Sequence, residues 1–238
     1  MRDYTTIIRD RVARNVPSAF ISTLESELRW GADIAWRNVM DPKGLRSAPR
    51  SQEHLDVELD RLIRNRRFAG CDAMMNAAKV HGIPYEYRSI GGGHRTAFVQ
   101  FGAVVLCAEP IRYSEQRPGA ATYKIDLARG NQDLLQLELP FPWASNRIDV
   151  RGVTFGIIQH LVPLVSLARQ DCLIRDVKLV VPDSTFSDVL VSESISGDRF
   201  ERAFTIADSC DEVARPQDDK ARPTLRPRAT KKRKDTFG

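Results

Sequence analysis

The stretch YEYRSIGGGHRTAFVQFGAVVLCAEPI, residues 85–111, marks the point where the chain changes from a helical pattern to a strand pattern. Polar and apolar residues alternate in YEYRSI, and two apolar runs follow, RTAFVQF and AVVLCAEPI. Alternation with a period of two is typical of strands, and glycine-containing connections between such runs are typical of hairpins. The stretch therefore predicts three consecutive strands joined by short turns.

The glycines Gly91 to Gly93 are followed at once by His94 and Arg95. A dinucleotide fingerprint needs G-x-G-x-x-G at the start of a helix, and a P-loop needs a final Gly-Lys-Ser/Thr. Here the glycines lead into a strand, so the loop has no helix dipole to direct at a phosphate. We predict a hairpin turn that places His94 and Arg95 at one rim of the sheet, with a functional loop as the alternative.

Upstream of this stretch, apolar residues recur at helical spacing. Residues 17–40 predict one helix, the segment 41–50 breaks the chain with two prolines and a glycine, and residues 52–68 predict a second helix. A shorter helix is expected after Gly70, up to Gly82. The last two helices could form a helix-turn-helix with Gly70 in the turn, but the second begins with residues that suit packing better than base contacts.

Downstream, the same reasoning predicts further strands. They are ATYKIDLA (121–128), LLQLELPF (134–141), NRIDVRG (146–152), IRDVKLVVPD (174–183) and SDVLVSESI (187–195). The apolar segment 153–168 fits either a strand or a buried helix.

Helices followed by consecutive strands indicate an α+β protein, in which an N-terminal helical part packs on a largely antiparallel β-sheet. We expect a helical subdomain at 1–83, a β-rich subdomain at 84–212 and a disordered basic C-terminal tail at 213–238. The tail has three prolines and few apolar residues, so it cannot bury enough surface to fold alone.

Most of the positive charge lies in that tail. Residues 215–238 contain nine Lys/Arg and three Asp/Glu, whereas residues 1–214 contain 27 and 28. The net charge of +5 is therefore a property of the tail, and the rest of the chain is nearly neutral. A flexible polycation can bind nucleic acid by neutralising phosphates, and it can also serve as an address signal.

The four cysteines are far apart in sequence and form no C-x-x-C pair. We expect reduced, buried thiols in a cytoplasmic protein. The four histidines are isolated as well, so no metal site or cofactor is predicted. No apolar run reaches the roughly 20 residues of a membrane span, and no membrane association is expected.

The leading hypothesis is a non-enzymatic protein that binds nucleic acid or another partner through the tail and an arginine-rich helix end. The predicted nucleic-acid-binding residues are Arg61, Arg64, Arg66, Arg67, Arg226, Arg228, Lys231, Lys232, Arg233 and Lys234. Basic residues near a helix C-terminus also complement the helix dipole, which is the purely structural alternative.

Two other hypotheses stay open. The first is a metal-dependent nuclease or phosphodiesterase of restriction-endonuclease-like type, with Asp149, Asp176 and Lys178 as candidate catalytic residues. In that pattern carboxylates hold a metal and a lysine helps to activate water. The second is a protein-binding adaptor or inhibitor that docks a basic partner through its acidic region, residues 171–212. Whether the chain is an enzyme is left undecided.

Overall fold

A computed structural model describes residues 4–40, 52–91, 94–133, 153–164 and 167–204. The helices are α1 (Tyr4–Asn15), α2 (Ser18–Met40), α3 (Gln52–Val80), α4 (Thr122–Asp133) and α5 (Arg199–Ala203), with a 3₁₀ turn at Arg169–Cys172. The strands are β1 (Tyr85–Gly91), β2 (His94–Phe101), β3 (Val104–Ile111), β4 (Thr154–Leu161), β5 (Asp176–Pro182) and β6 (Val189–Ser194).

The six strands form one sheet whose spatial order follows the chain, from β1 to β6. Four of the five neighbouring pairs are antiparallel, and β3 and β4 are parallel. Parallel neighbours need a crossover connection, and α4 lies in the connection between these two strands. The predicted α+β class with a largely antiparallel sheet is confirmed.

Helices cover both faces of the sheet. Successive residues of a strand point to opposite faces, and β3 shows this directly: Leu106 packs with residues of α1, α2 and α3, whereas Val105 and Cys107 pack with α4. Phe20 of α2 meets Phe101 of β2 edge to face, with ring centroids 4.7 Å apart. The helical part and the sheet therefore share one hydrophobic core within residues 4–204.

The prediction of two helices separated at Gly70 is wrong, because α3 runs without a break from Gln52 to Val80. Gly70 lies inside this helix, where a Cβ atom would come within 3.0 Å of His160 Cε1. Because Gly70 has no side chain, the helix can approach the sheet closely at this position. The glycine does not form a turn. A helix-turn-helix is consequently not formed by these residues.

The prediction of a strand at 121–128 is also wrong, because these residues lie almost entirely in α4. Leu127 and Ala128 are buried against Phe155 and Ile157 of β4. The need to cover this face of the sheet outweighs the local strand preference. The ambiguous segment 153–168 contains β4, whose residues are buried except for the last.

Helix α1 was not anticipated, because its sequence is polar apart from a few residues such as the fully buried Ile8 and Val12. The strands β1 and β2 are antiparallel neighbours at the glycine-rich connection, as predicted. Several parts of the prediction lie outside the described residues. They are residues 92 and 93, the predicted strands 134–141 and 146–152, and the tail. No helix among the described residues is long and apolar enough to cross a membrane.

Candidate functional site

Strands β2 and β3 separate at one end of the sheet. Their pairing runs from Phe101 and Val104 to Phe98 and Cys107 and then stops. Beyond that point the first residues of β2 pair only with β1, and the last residues of β3 pair only with β4. A gap therefore opens beside the carboxyl end of β3, which is where open sheets with parallel strands tend to place their ligands.

A row of polar residues crosses the sheet at this end. Glu109 of β3 lies opposite Gln159 of β4, which lies opposite Lys178 of β5. Directly opposed residues project from the same face, so these three side chains form a line on the face that α4 covers. Gln159 is buried, and its Nε2 atom has no hydrogen-bond partner among the described residues.

Glu109 forms a mostly buried ion pair with Lys124 of α4. The Lys124 Nζ atom lies 2.6 Å from Glu109 Oε2 and donates a second hydrogen bond to the Gly119 carbonyl oxygen at 2.9 Å. The backbone N–H of Gly119 donates to Glu109 Oε1 at 3.3 Å. The pair therefore ties the segment before α4 to the carboxyl end of β3.

Burial raises the pKa of one hydroxyl and one thiol near this gap. Burial raises the pKa of the Tyr123 hydroxyl above its ordinary value, and the nearby Cys107 and Glu109 raise it further. Burial raises the pKa of Cys107 to about 12. Cys71 Sγ lies 3.9 Å from Thr96 Oγ1 at the start of β2. Neutral thiols are weak nucleophiles, so covalent catalysis through Cys107 is not favoured here.

The candidate catalytic residues are held by structural contacts. Asp176 Oδ1 accepts hydrogen bonds from the hydroxyls of Ser194 and Ser196, at 2.6 and 3.3 Å. Lys178 Nζ donates to the Ser114 hydroxyl at 2.8 Å. Asp149 lies outside the described residues, so their convergence is not tested.

A metal site is not assembled from the part of the chain that the structure describes. No three His, Cys, Asp or Glu residues come together there. The carboxylate of Glu109 is already bound by Lys124. A nuclease metal centre needs several free carboxylate oxygens. One candidate residue, Asp149, lies outside the described residues, so the nuclease hypothesis stays a prediction.

The predicted arginines of α3 do not share one environment. Arg61 and Arg64 are exposed and Arg67 is half-buried, whereas Arg66 has only 2% of its surface exposed. Arg66 therefore does not lie on the solvated face with the other three. Sequence reasoning could not separate them, because all four belong to one short basic run.

Arginines on α2 form ion pairs with carboxylates, and Arg61, Arg64 and Arg67 differ from them in this respect. Arg37 forms an ion pair with Asp33 at 2.6 Å, and Arg29 pairs with Glu25 at the same distance. No ion pair between two described residues includes Arg61, Arg64 or Arg67. Further positive charge lies at the ends of the separating strands, and it comes from Arg95 of β2 and Arg112 just after β3, both exposed.

Four of the seven acidic residues that are described in the region 171–212 form ion pairs with arginines. The pairs are Asp171 with Arg175, Glu193 with Arg9, Asp198 with Arg202 and Asp176 with Arg199. Surface pairs of this kind reduce the local field of the carboxylates. These four carboxylates therefore add little net negative charge to the region, and the adaptor hypothesis stays a prediction.

Sequence reasoning missed the polar residues inside the fold, notably Glu109, Lys124, Asn131, Gln159 and His160. In the sequence, each of these residues is a polar residue within or beside an apolar run. The same pattern is expected for a strand with one face exposed to solvent, so it does not identify a buried polar residue. Comparison with known protein families, with curated proteins and with solved structures finds no match to this chain.

Proposed function

We propose that this protein binds nucleic acid through the phosphate backbone. In this proposal the outer arginines of α3, which are Arg61, Arg64 and Arg67, act together with the basic residues of the tail at 213–238. The binding is non-enzymatic and independent of base sequence, because it relies on phosphate contacts alone. No cofactor is required.

The observation that carries the proposal is the row of unneutralised arginines. Residues three apart are neighbours on a helix surface, so Arg61, Arg64 and Arg67 form a continuous row about 9 Å long at 1.5 Å rise per residue. That length spans two to three phosphates, at roughly 3.4 Å per charge along one strand. Arg95 and Arg112 contribute to the same positive potential.

The tail supports the proposal through its composition. It carries a net charge of +6 over residues 215–238, against −1 for the rest of the chain. Clustered basic residues capture nucleic acid by releasing counterions. The three described cysteines are buried and form no disulfide, which suits a reducing compartment, and we place this activity in the cytoplasm.

The test compares two triple variants that remove equal charge. The test variant is Arg61→Gln, Arg64→Gln and Arg67→Gln. The control is Arg37→Gln, Arg129→Gln and Arg202→Gln, whose arginines are exposed and each paired with a carboxylate. Binding to a fluorescent 20-base-pair duplex is measured by anisotropy over a range of salt concentrations, and circular dichroism checks folding.

We expect the test variant to reduce the slope of log K against log salt by up to about 2.7, since each phosphate contact contributes about 0.9. The control should reduce it much less. Deleting residues 215–238 should reduce the slope further. The proposal is wrong if the wild type shows no affinity at low salt, or if the two triple variants weaken binding equally.

A further inference from the structure

Arg66 lies in the protein interior, between α3 and the carboxyl end of β4. Its Nη2 atom donates a 2.6 Å hydrogen bond to the carbonyl oxygen of Cys172. Its Nε and Nη1 atoms are buried and have no acceptor among the described residues. Three N–H groups of the guanidinium are thus withdrawn from water with no partner in the described part of the chain.

His160 of β4 lies against the turn of α3 that follows Arg66. Gly70, one helical turn after Arg66, is the residue whose Cβ would come within 3.0 Å of His160 Cε1. The imidazole is 2% exposed, and its Nδ1 atom also lacks a hydrogen-bond partner among the described residues. Arg66 is close enough to lower the pKa of His160 electrostatically, in addition to the larger effect of burial.

The groups around Arg66 do not neutralise its charge. Burial lowers the pKa of Arg66 to about 10. Arg112 lowers this pKa further, whereas Cys172 raises it. The side chain is therefore a cation at neutral pH. Burial raises the pKa of Cys172, which keeps it a thiol. A buried charge without a counter-ion is strongly unfavourable, and buried polar groups in native proteins are normally hydrogen-bonded.

We propose that Arg66 and His160 form an internal binding site for a small oxyanion of the phosphate class. The oxyanion accepts hydrogen bonds from Arg66 Nε and Nη1 and from the Nδ1–H tautomer of neutral His160. Charge-assisted hydrogen bonds of this kind are the strong ones. Arg112, exposed and close to Arg66, adds to the attraction at the surface.

The burial of both residues selects a small ligand, because a polynucleotide backbone cannot reach side chains that are 2% exposed. The site therefore takes inorganic phosphate or the terminal phosphate of a mononucleotide. It is separate from the proposed nucleic-acid surface, whose arginines lie on the outside of α3.

The experiment titrates the full-length protein with inorganic phosphate, a nucleoside monophosphate or sodium chloride at matched ionic strength, and follows the melting temperature. The variant is Arg66→Met, which keeps the length of the side chain and removes its charge. The matched control is Arg37→Met, an exposed arginine of α2 that lies outside the proposed nucleic-acid surface. General salting-out by phosphate acts on all three proteins alike, so the difference between them reports the site.

We expect the wild type and Arg37→Met to gain roughly 5–10 °C when phosphate or the mononucleotide reaches 100 times its dissociation constant. Arg66→Met should lose the saturable part of this gain. If Arg66→Met does not fold, nitrogen NMR of the wild type replaces it: the His160 Nδ1 resonance should shift with phosphate and not with chloride. The site is refuted if neither anion gives a saturable, Arg66-dependent gain in melting temperature, or if the His160 resonance does not move in that substitute measurement.

Discussion

At the scale of single residues, the buried polar side chains are the most informative feature of this protein. Arg66 and His160 lie deep between α3 and β4, and neither is satisfied fully by the described residues. Natural proteins seldom leave such groups unpaired without a functional or structural reason. These two residues, rather than the glycine-rich turn, are therefore where the interior chemistry of the molecule is concentrated.

The buried His160 makes stability depend on pH. Burial and Arg66 lower its pKa to about 3 in the folded state, against about 6.5 when unfolded. Between these values the unfolded chain binds a proton that the folded chain does not, so folding stability falls as the pH falls from about 6.5 to 3. The contribution is at most about 1.4 kcal/mol per pH unit.

We predict that His160→Gln, which cannot titrate, depends less steeply on pH than the wild type. Urea unfolding in chloride buffers at pH 7 and pH 5 provides the measurement. From pH 7 to pH 5 the wild type should lose about 2 kcal/mol more than the variant, since about 1.5 pH units of the window are crossed. Equal losses in the two proteins would show that His160 is protonated to the same degree when folded and unfolded.

At the scale of secondary structure, α4 is defined by its contacts with the sheet. Asn131, fully buried near its end, donates from Nδ2 to the carbonyl oxygens of Phe155 and Pro182, at 3.0 and 2.8 Å. Its Oδ1 accepts from the Phe155 N–H at 2.6 Å. One side chain thus joins α4 to both β4 and β5.

We predict that Asn131→Ala lowers the free energy of unfolding by about 3 kcal/mol, because it leaves one backbone N–H and two carbonyl groups without this partner inside the protein. Chemical denaturation followed by circular dichroism provides the measurement. Asn38→Ala, at an exposed position of α2, is the control and should change stability by no more than about 0.5 kcal/mol. Similar losses in both variants would mean that Asn131 does not anchor the helix.

At the scale of the whole molecule, the core extends over both faces of the sheet and encloses the described thiols. Cys71, Cys107 and Cys172 are buried, and none of them is in a disulfide. Thiols react as thiolates and only when reagent reaches them, so their modification should require opening of the fold.

We predict that a Cys210→Ser variant, which removes the one cysteine outside the described residues, is labelled very slowly by a thiol reagent in the native state. In denaturant, three thiols per chain should react at once. Mass spectrometry gives the number of labels, and the labelling rate should follow the unfolding equilibrium. Rapid native labelling of any of the three would contradict the burial of that side chain.

Residue patterns were enough to predict α2, a helical segment within α3, the strands from Tyr85 to Ile111 and the strands β5 and β6, because periodicity within a few residues is a local property. The sequence also located the basic charge in the tail. Tertiary structure alone decided that 122–133 is a helix, that α3 continues through Gly70 and that Arg66 is buried. Each of these depends on contacts with residues 24 to 106 positions away, and local patterns carry no record of such distant partners.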